Sequence, residues 1–111
     1  MTGRGRTVLI DVGELDWVEA QGNYLGLRAG GAVHLIRETM TRFQARLDPQ
    51  TFVRIHRGRI VNLDRVKEVV ALGNGDALLK LRDGAELRVS RAFAEALRLR
   101  LRDRAHRSGT D

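Results

Sequence analysis

The stretch FVRIHRGRIVNLDRV, residues 52–66, sets four arginines and a histidine among apolar side chains. Phe52, Val53, Ile55, Ile60, Val61, Leu63 and Val66 are types that seek a core, whereas Arg54, His56, Arg57, Arg59 and Arg65 need water or an anion. The chemistry on offer is anion recognition, because a guanidinium presents a planar fork of donors that fits phosphate oxygens and guanine edges. Arg57 and Arg59 flank Gly58, whose missing side chain lets backbone approach a partner or adopt a turn closed to other residues. His56 suits a phosphate contact and a hydrogen bond that fixes the turn equally well. Asn62, behind Ile60 and Val61, is expected to be semi-buried and to support the basic turn by bonding backbone groups.

Other residues invite weaker readings. Arg91 falls at a predicted helix start, where the helix dipole favours a negative group, so an interaction outside the helix is worth seeking for it. Ser90 is placed to cap that helix. Tyr24 follows the turn QGN at 21–23, where it can stack or bond at a surface, while the apolar neighbours of Trp17 point to core packing. Asp11, Asp16 and Glu19 lack a nearby nucleophile or histidine and read as a solvated or salt-bridged strand face. The GNG at 73–75 is not a G-x-G-x-x-G loop, and no phosphate loop of the G-x-x-x-x-G-K-[ST] kind occurs. With no cysteine and no metal-like spacing of histidines and carboxylates, neither a thiol enzyme nor a metal or cofactor site is expected.

The 20 basic residues outnumber the 14 acidic ones for a net charge of +6, which favours a polyanionic partner. The length of 111 residues suits one domain. No apolar run is long enough to span a membrane and the N-terminus lacks a secretory segment, so the expected location is the cytoplasm.

The elements that must hold these residues are short. TVLID at 7–11, LDWVEA at 15–20, YLGLRA at 24–29 and AVHLI at 32–36 read as a four-stranded meander. RETMTRFQARL, residues 37–47, changes period and predicts an amphipathic helix with Met40, Phe43 and Leu47 on one face. VKEVVAL at 66–72, DALLKL at 76–81 and AELRV at 85–89 read as strands joined at Asn74-Gly75 and Asp83-Gly84. A last helix starts near Arg91 and packs Phe93, Ala94, Leu97 and Leu101, with a frayed tail beyond. About eight strands and two small helices exclude a doubly wound α/β fold and lack the helix pair of a helix-turn-helix domain.

Four ordered motifs, LDWVEAQGNYLGL, IRETMTRFQARL, FVRIHRGRIVNLDRV and DGAELRVSRAFAEAL, resemble the LytTR-type DNA-binding domain of bacterial transcription and response regulators. The resemblance covers residues 7–101, leaving 1–6 as an N-terminal extension and 102–111 as a basic, flexible tail. It implies a mostly β fold of about ten short strands in three elongated sheets with one or two short helices. It also implies sequence-specific binding of double-stranded promoter DNA through loops in successive major grooves, by a homodimer or tandem copies on direct repeats. In family terms Asn23, Tyr24, Arg57 and Arg91 correspond to groove-facing base contacts. Arg54, His56 and Arg59 are then candidate phosphate contacts, and Gly58, Asn62 and Ser90 support the site. The family often has serine where this chain has Gly58, so a serine contact does not carry over and Arg59 is the replacement candidate. A receiver or sensor domain of a two-component system would lie outside this chain. The alternatives are an RNA or single-stranded DNA binder, which needs exposed stacking residues, and a basic regulatory protein-interaction module.

Overall fold

The structure is a computed structural model that describes residues 9–108. Five antiparallel strands form the main sheet in the order β3-β2-β1-β5-β4, with β1 at Trp17–Gln21, β2 at Tyr24–Ala29, β3 at Ala32–Ile36, β4 at Phe52–His56 and β5 at Arg59–Asn62. A second sheet has the order β6-β7-β8, at Val66–Ala71, Ala77–Leu81 and Glu86–Val89. The helices are α1, Met40–Gln44, and α2, Arg91–Ser108. The mostly β class is therefore as expected and the total matches the expected figure of about eight strands, although the strand read at 7–11 is not among them and the basic stretch 52–66 supplies β4 and β5. The ten strands and three sheets implied by the resemblance become eight in two among the described residues.

The main sheet is a shared wall between two hydrophobic clusters. On one face Val18, Leu25, Leu27, Phe52 and Ile60 meet Met40 and Phe43 of α1 and Leu47 beyond it. On the other, Trp17, Val53, Ile55 and Val61 meet Leu79, Leu81, Leu87 and Val89 of the small sheet and Ala94 and Leu97 of α2. Period-two alternation explains this, since register sets Trp17 beside Val61 and Val18 beside Ile60, so neighbours on one strand serve opposite cores. β7 and β8 alternate in the same way, burying Ala77, Leu79, Leu81, Leu87 and Val89.

Three elements depart from expectation. The strand predicted at 7–11 does not form over its described part: Leu9 is 90% exposed and Leu9–Asp11 joins no strand among the described residues, while residues 7 and 8 and the extension 1–6 lie outside the described residues. The Asp11 carboxylate instead accepts from Gly13 N at 2.9 Å and starts a 3₁₀ turn at Val12–Glu14. Such local bonding competes with strand pairing. α1 begins later than Arg37 because Thr39 is its cap, accepting from Arg42 N at 3.2 Å. The predicted apolar face is nevertheless the buried one. Finally, α2 does not fray after Leu101 but continues to Ser108. Its arginine, leucine and alanine content favours helix. Arg104, assigned to the tail, donates to the Gln50 carbonyl at 2.8 Å and to the Asp64 carboxylate. Residues 109–111 lie outside the described residues. Among the described residues no helix is long and apolar enough to cross a membrane.

Candidate nucleic-acid interface

The β4–β5 turn is built from its own side chains. His56 Nδ1 accepts from Gly58 N at 3.0 Å, so the structural role open to this histidine is realised. Arg54 donates to the Arg57 carbonyl and, at 3.1 Å, to Gln44 Oε1 beyond α1's apolar face. Ala20 N donates to the Gly58 carbonyl at 2.9 Å, tying the turn to β1. Arg57 is exposed at its tip, and among the described residues its guanidinium has no partner. Gly58 is not in the left-handed region, and a Cβ there would make ordinary 3.6 Å contacts with Ala20 and His56. Turn geometry therefore does not require glycine at 58.

The β1–β2 turn lies alongside. Gly22 sits at φ +63° in a two-residue hairpin closed by the Gln21–Tyr24 pair, and such a φ favours glycine. Because Glu19 pairs with Arg59 across β1 and β5, this turn and the β4–β5 turn share one end of the main sheet. Asn23 is exposed there, as is Tyr24 at 44%. Beside Asn23 a cleft is lined by Gly22, Leu25, Arg37, Glu38 and Arg42.

Like His56, the two arginine candidates for phosphate contact already have partners within the chain. The Glu19 carboxylate accepts from Arg59 Nε at 3.3 Å and from its terminal nitrogen at 3.2 Å, and it lies 3.8 Å from Arg28. Arg28 in turn stacks over the Trp17 ring at 4.5 Å. Arg54 is the brace just described. The carboxylates Asp16 and Glu19 are thus salt-bridged, as expected, Asp16 facing Arg65 at 3.3 Å.

Asn62 is fully buried, but its bonds lie at the far end of β5 from the basic turn. Its Nδ2 donates to the Leu15 carbonyl at 2.8 Å and its Oδ1 accepts from Asp64 N at 2.8 Å. It fixes the entry to β1 and the 3₁₀ turn Leu63–Arg65 rather than bonding Arg57 or Gly58 directly.

Arg91 stands apart from this cluster, exposed at the first residue of α2 beside the β6–β7 turn. Ser90 starts the helix through its carbonyl, which accepts from Phe93 N at 2.9 Å and Ala94 N at 3.0 Å. The carboxylate at the first helical amide belongs to Asp76, whose Oδ1 accepts from Arg91 N at 2.8 Å. Asp76 Oδ2 accepts from Arg88 at 2.9 Å, and these bonds, that of Arg88 foremost, hold its carboxyl below the ordinary aspartate range. Asp76 had no assigned role in the sequence. The signal within reach was the turn GNGD, in which Asn74 Oδ1 accepts from Asp76 N at 3.1 Å. Its partners on β8 and α2 were not readable locally.

Residues 5–102 match the family described as the LytTr DNA-binding domain. The sensory transduction protein LytT of Bacillus subtilis is 23% identical over 91 residues, covering 82% of this chain and 38% of that protein. An uncharacterized response regulatory protein of Vibrio cholerae is 36% identical over 89 residues, covering 77% of this chain and 34% of that protein. The transcriptional regulatory protein LytR of Staphylococcus aureus is 38% identical over 56 residues, which cover 50% of this chain and 23% of that protein. The chain therefore spans well under half the length of these relatives. A solved LytTr DNA-binding domain from Bacillus cereus superposes with a TM-score of 0.77 at 23% identity, covering 83% of this chain and 84% of that one, and supports the fold. On the extent of the family match, this chain belongs to the LytTr DNA-binding domains, a family of DNA binders rather than enzymes.

Proposed function

We propose that the chain reads double-stranded promoter DNA in a sequence-specific way and serves transcriptional regulation. Arg57 and Arg91 are the principal base readers, and Asn23 and Tyr24 enter beside Arg57. The observation that carries this reading is the β4–β5 turn, where an unpartnered arginine projects from a backbone held by His56, Arg54 and Ala20. A fixed backbone reduces the ordering cost of docking, and the arginine fork matches guanine O6 and N7 in the major groove. Tandem copies on direct repeats, or a homodimer, gain effective concentration from neighbouring sites. The unmatched length of the curated relatives leaves room for a receiver or sensor domain in the longer proteins of this family.

His56, Arg54 and Arg59 contribute attraction to phosphate, Arg59 by exchanging Glu19 for the DNA backbone. Binding to single strands is the weaker reading, because Trp17, Phe43 and Phe52 are buried and Phe93 packs against a core cluster, which leaves Tyr24 alone exposed for stacking among the described aromatic residues. Selection from a random duplex library at near-physiological salt tests the proposal, with enrichment of a short directly repeated motif as the expected result. Arg57→Ala should then flatten preference at one base pair, whereas Arg59→Ala should weaken all duplexes alike and lower the salt slope. A folded Arg57→Ala protein with unchanged base preference removes its assigned role.

A further inference from the structure

The β6–β7 turn meets the start of α2 in a way that a simple helix cap does not require. Asp76 uses both carboxylate oxygens, Oδ1 on the Arg91 amide at 2.8 Å and Oδ2 on Arg88 Nε and its terminal nitrogen at 3.3 and 2.9 Å. The residue before it, Gly75, sits at φ +94°, and a Cβ there would stand 2.9 Å from Arg91 Cδ, 3.1 Å from Cγ and 3.4 Å from Cβ. The aliphatic stem of Arg91 thus lies across the face of Gly75. The closest part is Cδ, midway along the stem, so a Cβ at 75 would force the stem off its present course, while the root at Cβ stays at an ordinary contact distance. The turn is itself closed by Leu72 N on the Asp76 carbonyl at 2.9 Å and by Asn74 on Asp76 N at 3.1 Å. Arg88, exposed on β8 next to this site, would be a mobile cation if Asp76 did not hold it.

We infer that Asp76 and Gly75 are positioning residues for DNA recognition by Arg91. Asp76 anchors the backbone from which the arginine projects, and Gly75 provides the channel that directs its stem. By occupying Arg88, Asp76 also keeps a second guanidinium from binding phosphate without regard to sequence. One carboxylate therefore serves recognition in two separable ways: it fixes the reader, which sets base discrimination, and it restrains a non-specific phosphate contact, which sets the salt dependence. The inference rests on the proposed reading of Arg91, and the variants below separate failure of the one from failure of the other.

The test uses the full chain and the duplex recovered from the library, with each position of the site changed in turn and binding measured at several salt concentrations. Arg91→Ala identifies the base pair assigned to Arg91. Asp76→Ala is expected to lower discrimination at that same pair by about tenfold, with base preferences elsewhere in the site intact. It should also steepen the salt dependence by roughly one phosphate contact as Arg88 is released. Asp76→Asn, which keeps an oxygen for the Arg91 amide and loses the charge that holds Arg88, should restore most of the discrimination but not the original salt slope. Gly75→Ala should reduce discrimination at the same pair while leaving the salt slope unchanged. If Asp76→Ala fails to fold, Gly75→Ala decides. Wild-type discrimination in a folded Asp76→Ala or Gly75→Ala protein overturns the inference, while an Arg91→Ala protein with every preference intact overturns the reading of Arg91 on which it stands.

Discussion

Replacing Arg54 by lysine separates two roles that the same side chain could have in DNA binding. Its guanidinium joins Gln44 Oε1, at 3.1 Å, to the Arg57 carbonyl, so it links the segment of α1 to the turn that carries the proposed base reader. Lysine preserves the charge, but a single ammonium on a flexible stem cannot reproduce a fork that spans two acceptors. Each hydrogen bond to a charged group contributes about 1.5–3 kcal/mol, and Arg54 is only half-buried, so losing one of the two should cost about 1–2 kcal/mol of stability. The loosened turn should also surrender part of the Arg57 discrimination, whose full value is about 1–3 kcal/mol, giving roughly a fivefold loss at that base pair. The assay is a binding series over duplexes altered at each position, at two salt concentrations, alongside urea unfolding. Arg54→Lys is expected to keep the wild-type salt slope and lose preference only where Arg57 reads. If it instead binds every duplex with wild-type preference while Arg54→Ala lowers the slope, Arg54 acts through its attraction to phosphate alone and the brace has no functional weight.

Asn62→Ala should destabilise the fold by about 2–4 kcal/mol, because it leaves the buried Leu15 carbonyl and the Asp64 amide without their partner. Urea unfolding with an unchanged m-value would measure this, base preference should survive wherever the variant is folded, and a cost below about 1 kcal/mol would contradict the assignment. Asp76 has its carboxyl lowered from the ordinary value of 3.8, chiefly by Arg88 and next by the Arg91 amide, so its contribution is complete above that value and disappears as pH falls through the lower folded value. Thermal melts of wild type and Asp76→Asn should therefore keep a small constant gap from neutral pH down to 3.8 and converge in stronger acid. Convergence already near neutrality would show that another group sets the gap.

Much of the scaffold could be read locally because its signals are local. The alternation in ALLKL and ELRV fixed which residues of β7 and β8 face the core, and Gly75 and Gly84 take the positive φ that the Asn-Gly and Asp-Gly turns anticipated. The helical spacing of Met40, Phe43 and Leu47 identified a buried face even though the α-helix itself covers only Met40–Gln44. What escaped were choices between two satisfactory local outcomes and bonds between distant segments. Thr39 fits both a helix interior and a cap, and its hydroxyl made it a cap. Asp11, the last residue of an apparent strand, caps the 3₁₀ turn at Val12–Glu14 instead. Arg57 was conspicuous from its neighbours alone, whereas the bond of Glu19 to Arg59 across 40 residues, and that of Asp76 to Arg91 across 15, depend on how the sheets are assembled.

The shared wall between the two hydrophobic clusters also dictates the order in which the chain can acquire structure. β1–β2–β3 and β6–β7–β8 are meanders with local pairings, and such pairings require little loop closure. The junction of β1 with β5 joins Glu19 to Arg59, and neither cluster is complete until that long loop closes. Truncation of Val18 or Ile60, which face each other across the junction, should therefore slow refolding, whereas truncation of Met40 on α1 should chiefly hasten unfolding. The turns bearing Asn23 and Arg57 become neighbours through the same junction. The arginine-bearing end of the sheet is thus complete only when that junction is, and the local meanders by themselves have no such surface to offer.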